Sequence, residues 1–78
     1  MPAQPNDALT ETVYAFIQTY MGQHGYAPTL REIAAGCYIS YTTVVRYLDR
    51  LEWQGRIMRE PGRARSIRVV VVEPDAHH

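Results

Sequence analysis

The 78-residue chain contains no lysine, a single cysteine and no long apolar run. One cysteine, Cys37, excludes an internal disulfide and a cysteine-based zinc site. The longest aliphatic run, residues 69–72, is far shorter than the roughly 20 apolar residues that a membrane-spanning helix needs. The first residues show neither the basic region nor the apolar stretch of a signal peptide. These absences predict one small cytoplasmic domain with no metal, no cofactor and no membrane partner.

Net charge is also lacking, because the formal charge at pH 7 is zero. The charges are nevertheless segregated. All eight arginines lie in residues 31–68 with only four carboxylates, so this segment carries +4 and the flanks carry −4. A basic surface attracts a phosphate backbone even on a neutral protein. The exclusive use of arginine has two open explanations: arginine binds phosphate and guanine with paired hydrogen bonds, or the genome is GC-rich.

The spacing of apolar residues predicts two helices in the first half of the chain. In residues 7–24 apolar side chains recur every three or four positions, which is typical of one buried helical face. Thr29 and Glu32 form a capping box that opens a second helix. We expect Gly36 to limit the length of this second helix.

A third helix and a β-hairpin are expected in the second half. Ser40 is the predicted N-cap of a helix over residues 41–54, and the buried face of that helix is Val44, Tyr47, Leu48 and Leu51. Strand-like patterns follow at residues 57–59 and 66–72, on either side of a Pro-Gly turn. The predicted fold is therefore mainly α with a small β-hairpin.

The chain ends are predicted to lie outside the fold. Residues 1–6 contain two prolines and are expected to be a disordered lead, and residues 73–78 are expected to be a frayed tail. The predicted domain spans residues 7–72.

The second and third helices, joined by about four residues, form a helix-turn-helix by sequence pattern. On a helical wheel, the face of the third helix opposite Val44 carries Thr42, Arg46, Asp49 and Trp53. Hydroxyls near the start of this helix and arginine in its middle suit base edges and phosphates. The DNA contacts expected from it are Ser40, Tyr41, Thr42, Thr43, Val45, Arg46 and Arg50.

Two other segments contribute expected DNA contacts. The N-terminus of the second helix, with Thr29 and Arg31, offers backbone N–H groups to a phosphate. Arginines near the hairpin tip suit phosphate or a narrow minor groove, and they are Arg63, Arg65 and Arg68.

These contacts have structural alternatives that the sequence leaves open. Thr29 needs no role beyond its cap, and Arg46 could pair with Asp49. The hairpin arginines could instead protect an edge strand from aggregation. Trp53 faces away from the core, so it either packs on the last strand or marks a partner site.

Three motifs resemble the DNA-binding domain of LexA-type repressors. Residues 25–34, Gly-Tyr-Ala-Pro-Thr-Leu-Arg-Glu-Ile-Ala, are similar to the segment that enters the family's second helix. Residues 45–57, Val-Arg-Tyr-Leu-Asp-Arg-Leu-Glu-Trp-Gln-Gly-Arg-Ile, resemble the end of its third helix and its first wing strand. Residues 61–68, Pro-Gly-Arg-Ala-Arg-Ser-Ile-Arg, resemble its wing. The resemblance covers about residues 9–70. It implies a winged helix-turn-helix whose third helix enters the major groove, while the wing lies along the backbone or minor groove.

The chain also departs from the family pattern. LexA-type repressors continue into a domain that dimerises and cleaves itself with a serine–lysine dyad, and this chain has no lysine. We therefore expect a stand-alone DNA-binding domain. We also expect that it is not an enzyme, because no other group of catalytic residues is visible. Tyr38 stands where the family's turn usually has glycine, which leaves the shape of the turn open.

The predicted function is sequence-specific binding of double-stranded DNA by a small transcriptional repressor that occludes its operator. A homodimer would strengthen this binding, and the candidate dimer or partner contacts are Trp53, Val70 and Val72. Two alternatives stay open: a protein-binding winged-helix module, such as an accessory or antirepressor partner, and an N-terminal fragment of a longer LexA-like repressor. No small-molecule ligand is evident, and a nucleoid-associated location is expected.

Overall fold

The computed structural model describes residues 7–71, with the backbone alone described for Asp7. Three helices precede two short strands: α1 spans Asp7–His24, α2 Leu30–Cys37, α3 Tyr41–Trp53, β1 Ile57–Met58 and β2 Arg68–Val69. The strands are antiparallel, with Ile57 opposite Val69 and Met58 opposite Arg68. The predicted winged helix-turn-helix class is confirmed. The predicted lead, the predicted tail and Val72 lie outside the described residues.

One hydrophobic core joins all three helices to the hairpin. Val13 and Ile17 of α1, Ile33 of α2 and the predicted face of α3 are buried there. Each large aliphatic side chain that is fully buried contributes about 1.5–3 kcal/mol relative to exposure. Ile57 in β1 and Ile67, directly before β2, are buried against the same core. The wing, which consists of β1, β2 and the loop between them, is therefore anchored on both sides of its loop.

The predicted helix caps are present. In the capping box of α2, the Thr29 N–H donates to Glu32 Oε1 at 2.8 Å and the Glu32 N–H donates to Thr29 Oγ1 at 3.1 Å. At the start of α3, Ser40 Oγ accepts a hydrogen bond from the Thr43 N–H at 3.1 Å. These caps satisfy backbone donors that the first helical turn leaves without partners.

The prediction that Gly36 limits α2 was wrong. The helix continues through Gly36 and Cys37. Gly36 is instead a packing position, because a Cβ there would overlap the ring of Phe16 on α1. The helix ends at Tyr38, whose φ of 58° is left-handed. Tyr38 thus adopts the backbone conformation for which the turn would normally use glycine.

The strands are shorter than predicted. Instead of residues 57–59 and 66–72, only Ile57–Met58 and Arg68–Val69 form the ladder. Beyond Met58 the chain leaves the sheet, and the side chain of Arg59 bonds back to α3. On the other side, one further backbone bond, from the Val70 N–H to the Arg56 carbonyl at 2.9 Å, ends the pairing.

Candidate nucleic-acid interface

The exposed face of α3 carries a hydroxyl and a guanidinium one turn apart. Thr42 and Arg46 are exposed, and the side of the helix opposite them is buried in the core. Tyr41 precedes them and is 51% exposed. This is the face that the helical wheel predicted, and it presents groups able to bond base edges.

The other predicted DNA contacts at the start and along the side of α3 are either bonded within the protein or half-buried. Ser40 and Thr43 are bonded to each other through their hydroxyls at 2.8 Å, besides forming the cap. Val45 and Arg50 are half-buried along the flank of the helix. A direct contact of these four with DNA stays a prediction.

Arg46 does not pair with Asp49. The Asp49 carboxylate instead forms an ion pair with Arg59, whose Nε also donates to Glu52 Oε1 at 3.1 Å. Among the residues that the structure describes, the side chain of Arg46 has no hydrogen bond or ion pair. Its charge is therefore available to a partner outside the chain.

Ion pairs with carboxylates neutralise some of the arginines on the surface and leave others uncompensated. All five carboxylates whose side chains are described are paired, and they bond only four of the arginines. Arg31, Arg46 and Arg68 are exposed and have no such pair within residues 7–71. Uncompensated positive charge therefore lies on the first turn of α2, the exposed face of α3 and β2.

A cleft of about 530 Å³ separates the N-terminus of α2 from the wing loop. It brings together predicted contacts from three parts of the chain, and those that line it are Thr29, Arg31, Tyr41, Arg63 and Arg65. The first N–H groups of α2 have no acceptor within the helix, and the helix dipole makes its N-terminus favourable for an anion. Glu52 and Glu60 also line the cleft, but each is paired with an arginine. Because Arg31 is the lining arginine without such a pair within residues 7–71, the cleft is suited to a phosphate group at the α2 side.

The tip of the wing is formed by a Pro-Gly turn. The Arg63 N–H donates to the Glu60 carbonyl at 3.3 Å, and Gly62 has φ 80°. A type II turn has a positive φ at its third residue, which favours glycine there, and proline is common at its second residue. Ser66 closes the base of the loop, since its Oγ accepts from the Glu60 N–H at 3.0 Å and donates to the Glu60 carbonyl at 3.1 Å.

The Arg65 side chain forms several bonds within the protein, whereas among the described residues that of Arg63 forms one and that of Arg68 forms none. Arg65 Nη1 donates to Glu32 Oε1 and to the Ala27 carbonyl, both at 3.0 Å, and its Nη2 donates to Glu32 Oε2 at 3.0 Å. Nη1 also lies 3.3 Å from the Tyr20 hydroxyl. The guanidinium carbon is 4.7 Å from the centre of the Tyr26 ring. By contrast, Arg63 is 74% exposed and pairs only with Glu60, at 3.3 Å.

The pKa values of this pair reflect its geometry. The hydrogen bonds from Arg65 and from the Thr29 backbone lower the pKa of Glu32 to about 2. The Glu32 carboxylate raises the pKa of Arg65 further above its usual value. Sequence reasoning identified Glu32 only as a cap, because a pair separated by 33 positions leaves no local pattern.

A second ion pair ties the base of the wing to α1. Arg56 Nη1 and Nη2 donate to the Glu11 carboxylate at 2.6 and 2.8 Å. The Arg56 guanidinium carbon lies 4.1 Å from the centre of the Tyr14 ring. The hydrogen bond from Arg56 lowers the pKa of Glu11. Arg56 therefore serves the fold rather than the exposed surface.

The residues predicted to form a dimer or partner contact are not gathered into one patch by any described contact. Trp53 is 87% exposed at the end of α3, so it does not pack on the last strand. Val70 is half-buried, and Val72 lies outside the described residues. The dimer contact stays a prediction.

The described part of the chain shows no group of side chains that could hold a metal ion. Within the same residues, no helix is both long and apolar enough to cross a membrane. The lone thiol, Cys37, is half-buried against the core, and burial raises its pKa. Its setting is that of a packing residue.

A helix-turn-helix with an exposed Thr and Arg on its third helix, and a basic two-stranded wing beside it, defines a winged helix-turn-helix of the DNA-binding class. The match to a family model specifies which one. The LexA DNA binding domain model matches residues 7–66, and the chain belongs to this family.

The curated relatives agree with this assignment. The chain is 46% identical over 59 residues to a LexA repressor of Geobacter metallireducens, which covers 74% of this chain and 29% of that protein. It is 42% identical over 57 residues to LexA repressor 2 of Geobacter sulfurreducens, covering 72% and 28%. A LexA repressor of Listeria welshimeri is 36% identical over 67 residues, covering 85% and 33%. The chain thus matches about three tenths of the length of these relatives.

Proposed function

We propose that this chain binds double-stranded DNA in a sequence-specific manner and represses transcription by occluding its operator. The observation that carries the proposal is that Arg46, beside Thr42 on α3, is exposed and has no ion pair within residues 7–71. In this arrangement α3 lies in the major groove, where Arg46 reads guanine or bonds a phosphate and Thr42 reaches a base edge. The relatives named LexA repressor support the regulatory role.

The cleft beside α3 supplies contacts to the backbone. Arg31 and the first N–H groups of α2 face a phosphate from one side, and Arg63 faces it from the wing. Arg68 extends the basic surface along β2. A single module of this size buries about 600–1,000 Å² on DNA, so we propose that two copies bind adjacent half-sites. No catalytic step is required, and the protein acts where the chromosome lies, in the cytoplasm.

Selection of bound sequences from a random pool of double-stranded DNA tests the proposal. We expect enrichment of one short motif, present as two half-sites if copies pair. Recovery of unrelated sequences with no shared motif would contradict sequence-specific binding.

A protein partner is the second candidate, and the exposure of Trp53 favours it. Large exposed aromatics are common anchors in protein interfaces. The two candidate functions predict different effects of the same two substitutions on binding. Loss of Arg46 removes DNA binding in the first, whereas loss of Trp53 removes the partner in the second and leaves DNA binding as it is.

A further inference from the structure

Arg65 is placed very differently from its neighbours in the wing. Its guanidinium bonds both oxygens of the Glu32 carboxylate, a backbone carbonyl and a tyrosine hydroxyl, and one of its faces lies over an aromatic ring. Paired hydrogen bonds between arginine and a carboxylate fix both distance and orientation. Little of this group is left to bond a phosphate.

The backbone of Arg65 gives independent support. Its φ of 57° lies in the left-handed region, which residues other than glycine and asparagine rarely adopt. Such a conformation costs free energy that the surroundings must offset, as the C-terminal cap of α2 does at Tyr38. At Arg65 the bonds of its own side chain to α1, to the α1–α2 connection and to α2 are available to offset that cost.

The Glu32 carboxylate is also held by a group other than Arg65. Its Oε1 accepts the Thr29 N–H at 2.8 Å as part of the capping box. The carboxylate is therefore oriented by the helix itself, and the pair fixes the wing loop relative to the first turn of α2. The same turn carries Arg31, which lies across the cleft from Arg63.

We propose that Arg65 is a positioning residue that does not contact DNA, and that its pair with Glu32 sets the distance across the cleft between the first turn of α2 and the wing. This inference rests on the proposed DNA binding. It assigns Glu32, an acidic residue beside a phosphate site, a favourable role in binding.

Charge-neutral variants test the proposal, with affinity for the selected DNA measured by fluorescence anisotropy across a range of salt concentrations. Glu32→Gln keeps the capping box, because glutamine also serves at that position, but it removes one negative charge next to Thr29 and Arg65, which line the cleft. Simple electrostatics predicts tighter binding by this variant. A positioning role predicts binding about tenfold weaker, since an unanchored wing must be ordered on DNA.

Arg65→Gln separates positioning from contact. We expect about tenfold weaker binding with an unchanged slope of log K against log salt, because no phosphate contact is lost. The double variant is expected to be no weaker than either single one, as for two residues that act as a pair. The matched comparison is Arg63→Gln, two positions earlier, which should reduce the slope by about 0.9. Circular dichroism verifies that each variant is folded.

Two results overturn the inference while DNA binding stands. One is tighter binding by Glu32→Gln, and the other is a slope reduced by about one in Arg65→Gln. Absence of DNA binding by the unmodified protein would instead refute the proposed function, and the positioning role with it.

Discussion

Asp49 on α3 pairs with Arg59 beside β1, and not with Arg46 three positions before it on the same helix. Because Arg59 also bonds Glu52, it joins the start of the wing to the second half of α3. At the candidate interface, this pairing leaves Arg46 as a charged side chain without a partner among residues 7–71.

Arg46→Ala is expected to weaken binding to the selected DNA by about tenfold or more, since a base or phosphate contact of arginine contributes roughly 1–3 kcal/mol. The free energy of unfolding should change by less than about 0.5 kcal/mol, as for other surface substitutions. Titration by fluorescence anisotropy measures the first quantity, and urea denaturation the second. Gln18→Ala, at an exposed position on α1, is the control. Equal affinities of Arg46→Ala and this control would exclude Arg46 from the interface.

Leu48→Ala should lower the free energy of unfolding by about 2–5 kcal/mol, because a fully buried leucine leaves a cavity when it is truncated. Trp53→Ala, on the same helix but 87% exposed, should change it by less than about 0.5 kcal/mol. Urea denaturation of the two variants checks this difference. A large loss from Trp53→Ala would mean that its ring is buried in solution, for instance against a second copy.

Two glycine-to-alanine substitutions should change the stability of the protein in opposite directions. Gly36→Ala inserts a methyl group into the Phe16 ring, and overpacking of this kind costs about 1–3 kcal/mol. Gly22→Ala, inside α1 with open space around it, should stabilise the protein by about 0.4–1 kcal/mol. Thermal unfolding followed by circular dichroism measures both. Stabilisation by Gly36→Ala would show that the Phe16 ring moves aside at little cost.

The low pKa of Glu32 predicts a loss of stability in acid. A carboxylate whose pKa falls from 4.5 to about 2 on folding stabilises the protein above pH 4.5, and this stabilisation is lost as the pH falls towards 2. The unfolding free energies of the unmodified protein and of Glu32→Gln should therefore differ at pH 7 and converge near pH 2. Denaturation at a series of pH values measures the gap. A gap that stays constant down to pH 2 would contradict the pairing with Arg65.

Local patterns predicted most of the fold. The helices, the Thr29 and Ser40 caps and the buried face of α3 depend on residues within one or two turns of each other, and all were predicted. The role of Gly36 was not, because glycine ends helices in isolation and the ring of Phe16 reaches it only after folding. The predicted strand lengths were wrong for a similar reason. The valine run favours a strand, but β1 has only two residues with which it can pair.

The residues of the candidate site could be predicted from the sequence, but which arginines stay exposed and which pair within the protein could not. The sequence placed eight arginines in one basic segment and could not show which of them the carboxylates would pair. That division depends on ion pairs between distant positions, such as Glu11 with Arg56 and Glu32 with Arg65. The αL conformation of Arg65 is equally a product of tertiary contacts, since a sequence signal would call for glycine or asparagine.

The salt dependence of binding to the selected DNA tests the central claim most directly. If the basic surface makes four to six phosphate contacts, log K should fall with log salt at a slope of about −4 to −5. A slope near zero would contradict a phosphate-binding surface and, with it, the proposed function.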